Sequence, residues 1–229
     1  MTFEEHVLKE YPKEACGIVT KRGKYVPCEN IHIDPWNNFE IADEVFTKYK
    51  IKTILHSHPN GKLEPSAEDM QGQIDTDLEW GVATTDGVVV SNILYWGKET
   101  PELIGREYKH GVTDCYSLIR DYFKLEKNIE LPNFARQDNW WKLGQNLYEE
   151  HIEEAGFRRL TAGEEPQAGD VVLMAIASEV ANHGAVLLEG GLLLHHLANR
   201  LSRREPAAPW KKMFRGWWRY NEDNTTRKA

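Results

Sequence analysis

Along the first hundred residues the apolar and polar positions change period several times. FEEHVLKEY carries its apolar residues at helical spacing and stops at Pro12. ACGIVT and KYVPCEN read as two short strands around the turn Lys21-Arg22-Gly23, and TILHSH reads as a third. Ser66, after Pro65, opens a polar-apolar stretch that predicts a helix reaching Trp80. GVATT and VVVSNILYW then read as strands parted by Asp86-Gly87. The pattern lapses in GKETPELIGREYKHG, where charges mixed with Gly and Pro mark a boundary near residues 98–106. Beyond it, Leu118, Ile119, Tyr122 and Leu125 recur at helical spacing in a helix from about Cys115 to Lys127. A second helical stretch surrounds Trp140 to Ala155, and VVLMAI, GAVLLE, LLLHHL and FRGWWRY follow as strands. The sequence thus predicts two domains of α+β class: a mixed α/β unit over residues 1–100, and a unit over 105–229 with helices first and strands after.

Composition changes this picture little. With 41% apolar and 28% charged residues, the 229-residue chain is an ordinary globular protein, long enough to build a core in each half. MTFEEHVLKEYP has no basic start followed by an apolar run, and no stretch approaches the roughly 18 apolar residues of a membrane helix. A cytosolic, unprocessed protein without a membrane span is expected. The net charge of -8 is unevenly spread, with 10 Lys+Arg against 17 Asp+Glu in residues 1–100 and 9 against 3 in residues 200–229. The basic end, interleaved with Trp210, Trp217 and Trp218, reads as a solvated last strand packed by its tryptophans, so no nucleic-acid partner is expected. Three cysteines are an odd number, which leaves at least one free thiol. Cys16 and Cys28 lie in strand-like runs, where cysteine behaves as a small hydrophobe.

Two constellations carry chemistry. His56 and His58 are two apart on a strand and so project to one face, where both imidazoles can reach one metal. Asp69, in the first turn of the Ser66 helix, would complete three protein ligands and leave a fourth position for water, the arrangement of a catalytic zinc. Glu14, at the mouth of the strand ACGIVT, is the candidate base for that water. Ser66-Ala67-Glu68-Asp69 also has the spacing of a capping box, which would make Asp69 a helix-end device instead. One metal site accounts for all four positions together. The second constellation begins at Cys115, in the first turn of an amphipathic helix, where unpaired N–H groups and the helix dipole favour the thiolate. If GAVLLE and LLLHHL form a hairpin across the three-residue loop Glu189-Gly190-Gly191, His183 and His195 share a face and His196 points away. His183 is then the candidate base for Cys115, and His195 the residue that orients it.

Glu14, then His56-Ser57-His58-Pro59, then Ser66-Ala67-Glu68-Asp69 with residues 59–68 filling the gap, resemble the motif of the JAMM metalloproteases. The resemblance implies a cytidine-deaminase-like fold, zinc as cofactor, and hydrolysis of an amide or isopeptide bond in which Ser66 helps to polarise the carbonyl. The domain is short for that family, so substrate-gripping insertions are expected to be missing. Asp114-Cys115 at a helix start, with His183 and His195 twelve apart on consecutive strands, resembles the NlpC-type peptidoglycan cysteine peptidases. This implies a papain-like core and cleavage of an amide in the peptide stem of peptidoglycan, with Tyr108 helping to hold the oxyanion. Tyr116-Ser117 after Cys115 departs from the family's usual Ser-Gly. The two domains in this order, with DCYSLIRDYF, LPNFARQDNWW, EEAGFRRL and LLLHHLANRLSRRE, resemble a lambda-type tail assembly family of long-tailed phages. That likeness implies a two-domain tail peptidase partnered by other tail-tip proteins, folded in the host cytoplasm and carried at the virion tail tip. A structural tail-tip component that only binds at these sites, or a maturation protease of a tail protein, are the alternatives.

Overall fold

The structure is a computed structural model and describes residues 1–221; residues 222–229, the end of the expected second domain and of the basic tail, lie outside the described residues. The chain divides into two compact units, Met1–Glu99 and Thr100–Ala229. Among the described residues no helix is long and apolar enough to cross a membrane.

In the first unit Thr2 and Glu5 form a capping box that starts α1 (Phe3–Glu10). The strands β1 (Cys16–Thr20) and β2 (Tyr25–Cys28) form the expected hairpin, with Cys16 opposite Cys28. Both are nevertheless free thiols, as is Cys115. A short helix, α2 (Asp43–Lys48), was not legible in the sequence because it buries none of its residues and so shows no apolar stripe. The next elements are β3 (Ile51–Pro59), α3 (Ala67–Thr76), β4 (Glu79–Thr85) and β5 (Leu94–Trp96). They complete a five-stranded sheet of order β2-β1-β3-β4-β5. Only β3 and β4 run parallel, with α3 as their crossover, so the C-terminal end of β3 and the N-terminal end of α3 are joined by one loop.

Two expectations need correcting here. The Ser66 helix does not reach Trp80: Asp77, at φ 47°, adopts the left-handed conformation that closes it, and Trp80 lies in β4. Nor is VVVSNILYW one strand. Asp86 Oδ1 accepts the N–H groups of both Val88 and Val89 and holds a turn, leaving a single Thr85–Val90 bridge before β5 begins at Leu94.

The second unit begins its regular structure with α4 (Cys115–Lys127), capped by Asp114, whose side chain accepts the Ser117 N–H. The expected helix over Trp140 to Ala155 is broken into a 3-10 turn, Trp140–Leu143, and α5 (Leu147–His151), because Gly144 at φ 83° ends the first piece. Two three- to four-residue strands escaped the sequence pattern, β6 (Phe157–Arg159) and β10 (Arg203–Pro206). They flank an antiparallel sheet of order β10-β9-β8-β7-β11-β6, with β7 (Val171–Met174), β8 (His183–Leu188), β9 (Leu192–His195) and β11 (Phe214–Tyr220). The β8–β9 hairpin turns over Glu189–Gly191 in the expected register, pairing Leu188 with Leu192 and Val186 with Leu194.

Helix α4 packs Leu118, Ile119 and Phe123 against Val171, Leu173, Val186 and Leu194 of the sheet. This approach depends on Gly184. A Cβ there would stand 2.7 Å from Ile119 Cδ1 and 3.1 Å from Tyr148 Oη. Gly184→Ala is expected to cost about 1–3 kcal/mol by overpacking. A thermal melt of the full chain checks this; an unshifted transition for the second unit contradicts the close packing of α4 on β8.

Candidate active sites

In the first unit, β3 brings His56 and His58 to its C-terminal end, and the capping of α3 brings Asp69 back over them. His56 Nε2 and His58 Nε2 are 3.1 Å apart. Asp69 Oδ1 is 3.2 Å from His56 Nε2, and Asp69 Oδ2 is 3.2 Å from His58 Nε2. His56 is fully buried and Asp69 nearly so, and the three offer a group of ligand atoms all within 4.8 Å of one another. The capping box is also formed: Ser66 Oγ accepts the Asp69 N–H, and Asp69 Oδ2 accepts the Ser66 N–H. The two readings of Asp69 are therefore compatible, since the cap that holds its carboxylate is what aims Oδ1 at His56.

The donor set fits a zinc ion. His58 Nδ1 donates to the Lys62 carbonyl at 3.0 Å, so in a neutral ring Nε2 is the nitrogen left to ligate a metal. Ligand atoms held about 2.0–2.1 Å from a tetrahedral zinc stand roughly 3.3–3.4 Å apart, close to the spacing found here. Phe39 stacks on His56 with ring centroids 4.6 Å apart and shields it from solvent. His56 Nδ1, buried, has no hydrogen-bond partner. Glu14 Oε1 is 3.9 Å from His58 Nε2. Its backbone is clipped in place by Pro35, whose carbonyl accepts the Glu14 N–H, and by Asn30, whose Nδ2 donates to the Glu14 carbonyl. Burial pushes the Glu14 carboxyl up to about 8, with Asp69 and Asp34 adding to the rise and His58 opposing it. The residues of loop 30–39 gave no sequence signal, because they act through one backbone carbonyl, one amide side chain and one aromatic face.

In the second unit, Cys115 and His183 line one cavity of about 230 Å³. Cys115 stands at the head of α4, where its Sγ lies 3.1 Å from Tyr148 Oη and takes a hydrogen bond from the Gly184 backbone. His183 Nε2 is 3.0 Å from His195 Nδ1, and His195 Nε2 is 2.7 Å from Glu205 Oε1. His196 points to the opposite face of the hairpin from His195, as the register requires, and its ring also lines the cavity, with Nε2 3.0 Å from the Arg200 carbonyl. Tyr108 also lines the cavity and meets the His196 ring edge to face at 5.2 Å.

One electrostatic expectation is overturned. The helix start does not hold Cys115 as a thiolate; burial pushes its thiol up, and the adjacent Asp114 carboxylate adds to the rise, outweighing Tyr148 and Gly184. Burial likewise pushes His183 down to about 3, reinforced by His195 and His196. The resting pair is thus a neutral thiol and a neutral imidazole. Asp114 keeps its charge, held well below the usual carboxylate range against burial by Arg136. Arg136 gives two N–H groups to the Asp114 oxygens and the rest to Ser117 Oγ, Asn133 Oδ1 and the Phe134 carbonyl. Sequence reasoning missed Tyr148, Arg136 and Glu205. Only Glu205 had a recoverable signal: with β10 recognised, alternation from Arg203, the partner of His195, puts Glu205 on the same face.

A family model described as the NlpC/P60 family matches residues 96–219, and one described as prokaryotic homologs of the JAB domain matches residues 2–86. Tail tip assembly protein K of Escherichia phage lambda is 38% identical over 172 residues, covering 75% of this chain and 82% of that protein. This chain belongs to the tail tip assembly protein K family. Tail tip assembly protein K of Escherichia phage N15 is 32% identical over 222 residues, covering 93% of this chain and 87% of that protein. The chain's two domains are therefore an N-terminal JAB-type domain and a C-terminal NlpC/P60 domain, as the motifs imply. Two solved structures of NlpC/P60-family proteins are also similar. A lipoprotein-like member from Staphylococcus aureus is 20% identical with a TM-score of 0.32, over 47% of this chain and 32% of that one. One from Bacillus cereus is 11% identical with a TM-score of 0.36, over 96% of this chain and 67% of that one.

Proposed function

We propose that the NlpC/P60 domain is a thiol peptidase in which Cys115 attacks an amide carbonyl, His183 takes its proton and His195 orients His183. The single observation that carries this reading is the hydrogen-bonded chain from Glu205 through His195 to His183, ending in the cavity that also holds the Cys115 sulfur. Because thiol and imidazole both rest neutral, His183 acts as a true general base, removing the proton as the sulfur attacks and returning it to the leaving amine. Tyr108 and Tyr148 are the hydroxyls available to the developing oxyanion. The substrate is an amide in the peptide stem of peptidoglycan, opened at the tail tip with other tail-tip proteins as partners.

A second reading, cleavage of a tail protein during assembly, is favoured by the electrostatics of the cleft. Tyr116, Phe134, Trp140 and Trp141 wall it, and its one full ion pair, Asp114 with Arg136, is satisfied internally. A stem-peptide carboxylate buried against those rings gains nothing from Arg136, and a buried unpaired charge costs on the order of several kcal/mol. Mass analysis decides between them. Wild type and Cys115→Ala are incubated with purified peptidoglycan and, separately, with the tail-tip proteins. Muropeptides cut only by wild type support the first reading, protein fragments alone the second, and no Cys115-dependent product leaves a binding role.

In the JAB-type domain His56, His58 and Asp69 would hold a zinc ion, which supplies Lewis-acid polarisation and an acidified water when bound. Glu14 holds a proton at the edge of that centre, and the Ser66 hydroxyl keeps its own hydrogen to donate, since Oγ is an acceptor in the cap. This reading makes the domain a metallopeptidase for an amide or isopeptide bond. Purified full-length protein is expected to retain about one zinc per chain and Asp69→Ala to lose it, measured by elemental mass spectrometry. Stoichiometric zinc surviving in a His56/His58/Asp69 triple alanine variant would end the assignment.

A further inference from the structure

We infer that Glu205 is a positioning residue of the thiol site, one that fixes which nitrogen of His183 carries the hydrogen. The inference rests on the proposed thiol mechanism for its kinetic consequence, though its structural core does not. A carboxylate accepts, so at 2.7 Å the His195 Nε2 carries the hydrogen toward Glu205 Oε1. Burial, the largest influence, holds His195 below its ordinary value, so the ring is neutral and its Nδ1 is a bare acceptor. Across 3.0 Å, His183 Nε2 is therefore the donor to His195 Nδ1. A neutral His183 with its hydrogen on Nε2 has its lone pair on Nδ1. One carboxylate at the sheet edge thereby sets two tautomers in series and presents the catalytic imidazole as a base.

The surroundings are built to hold this chain. Glu205 sits on β10, two residues from Arg203, which pairs with His195 across the strands. The Trp210 ring meets His195 edge to face at 5.0 Å, and His195 is 1% exposed, so little water competes for its nitrogens. Once His183 has taken the thiol proton, the Glu205 charge stabilises the resulting imidazolium through the neutral His195.

The test pairs kinetics with tautomers. Glu205→Met removes the acceptor, whereas Glu205→Gln can still accept from His195 Nε2 through its amide oxygen. On the substrate that wild type cleaves, Glu205→Met is expected to lower kcat by about 100-fold with KM little changed, and Glu205→Gln to recover to within about tenfold of wild type. Imidazole ¹⁵N spectra of the full chain should place the hydrogen of His183 on Nε2 in wild type and Glu205→Gln, and show a mixture in Glu205→Met. A Met variant with an unmixed His183 overturns the proposal, and so does a Gln variant no better than Met. If wild type cleaves nothing, the peptidase reading fails, while the spectra still decide whether Glu205 sets the tautomers.

Discussion

Replacing Cys115 with alanine is expected to lower amide hydrolysis by the second domain about 10⁴-fold or more. The expectation is large because, among the described residues, no other cysteine, serine or threonine lines the cavity that holds Cys115. Stability should change little by comparison. The thiol is a small buried group whose removal leaves Asp114 capping α4 and Arg136 holding Asp114. The zinc content of the first domain should stay at the wild-type level. Initial rates on whichever substrate the mass analysis identifies, compared with a thermal melt of the same sample, check this. A Cys115→Ala protein that hydrolyses within tenfold of wild type rules out the thiol mechanism.

The second large effect is on stability. Arg136→Met leaves the Asp114 carboxylate buried with both Arg136 hydrogen bonds gone, held by the Gly111 and Ser117 N–H groups with the His110 ring 3.9 Å away. Breaking one side of a buried pair costs about 3–5 kcal/mol, because the surviving charge keeps its desolvation penalty. Removing both charges with Asp114→Asn/Arg136→Met should restore much of that loss. The pH dependence has a definite sign. Asp114 is held below the unfolded carboxylate value, so its contribution is present in full above about pH 5 and is lost as the pH falls toward the depressed value. Denaturant unfolding of wild type, single and double variants at neutral and acid pH measures both. A single variant within 1 kcal/mol of wild type, or a double variant worse than the single, contradicts this account.

Both constellations were legible because they use local geometry. His56 and His58 are two apart in a strand, Asp69 is fixed relative to Ser66 by a cap, and His183 and His195 are tied by a three-residue hairpin whose register alternation alone decides. What was not legible acts over distance or through the backbone. Tyr148 reaches Cys115 from a helix 33 residues away, and Arg136 reaches Asp114 across 22. The elements missed were those with little apolar periodicity: α2, which buries nothing, and the edge strands β6 and β10. The helix over Trp140 to Ala155 failed because one glycine at positive φ outweighs a favourable spacing on either side of it.

By itself the sequence determined the two domain classes, the three candidate metal ligands and the cysteine with its two histidines, because residue type and spacing along one strand, cap or hairpin constrain direction without any knowledge of packing. Only the tertiary structure decided the protonation of the thiol site. Whether Cys115 rests as thiol or thiolate, and which nitrogen of His183 is bare, depend on burial and on Asp114, Arg136 and Glu205 together. Such balances are set by how much water the packed fold removes, which no spacing in a chain encodes.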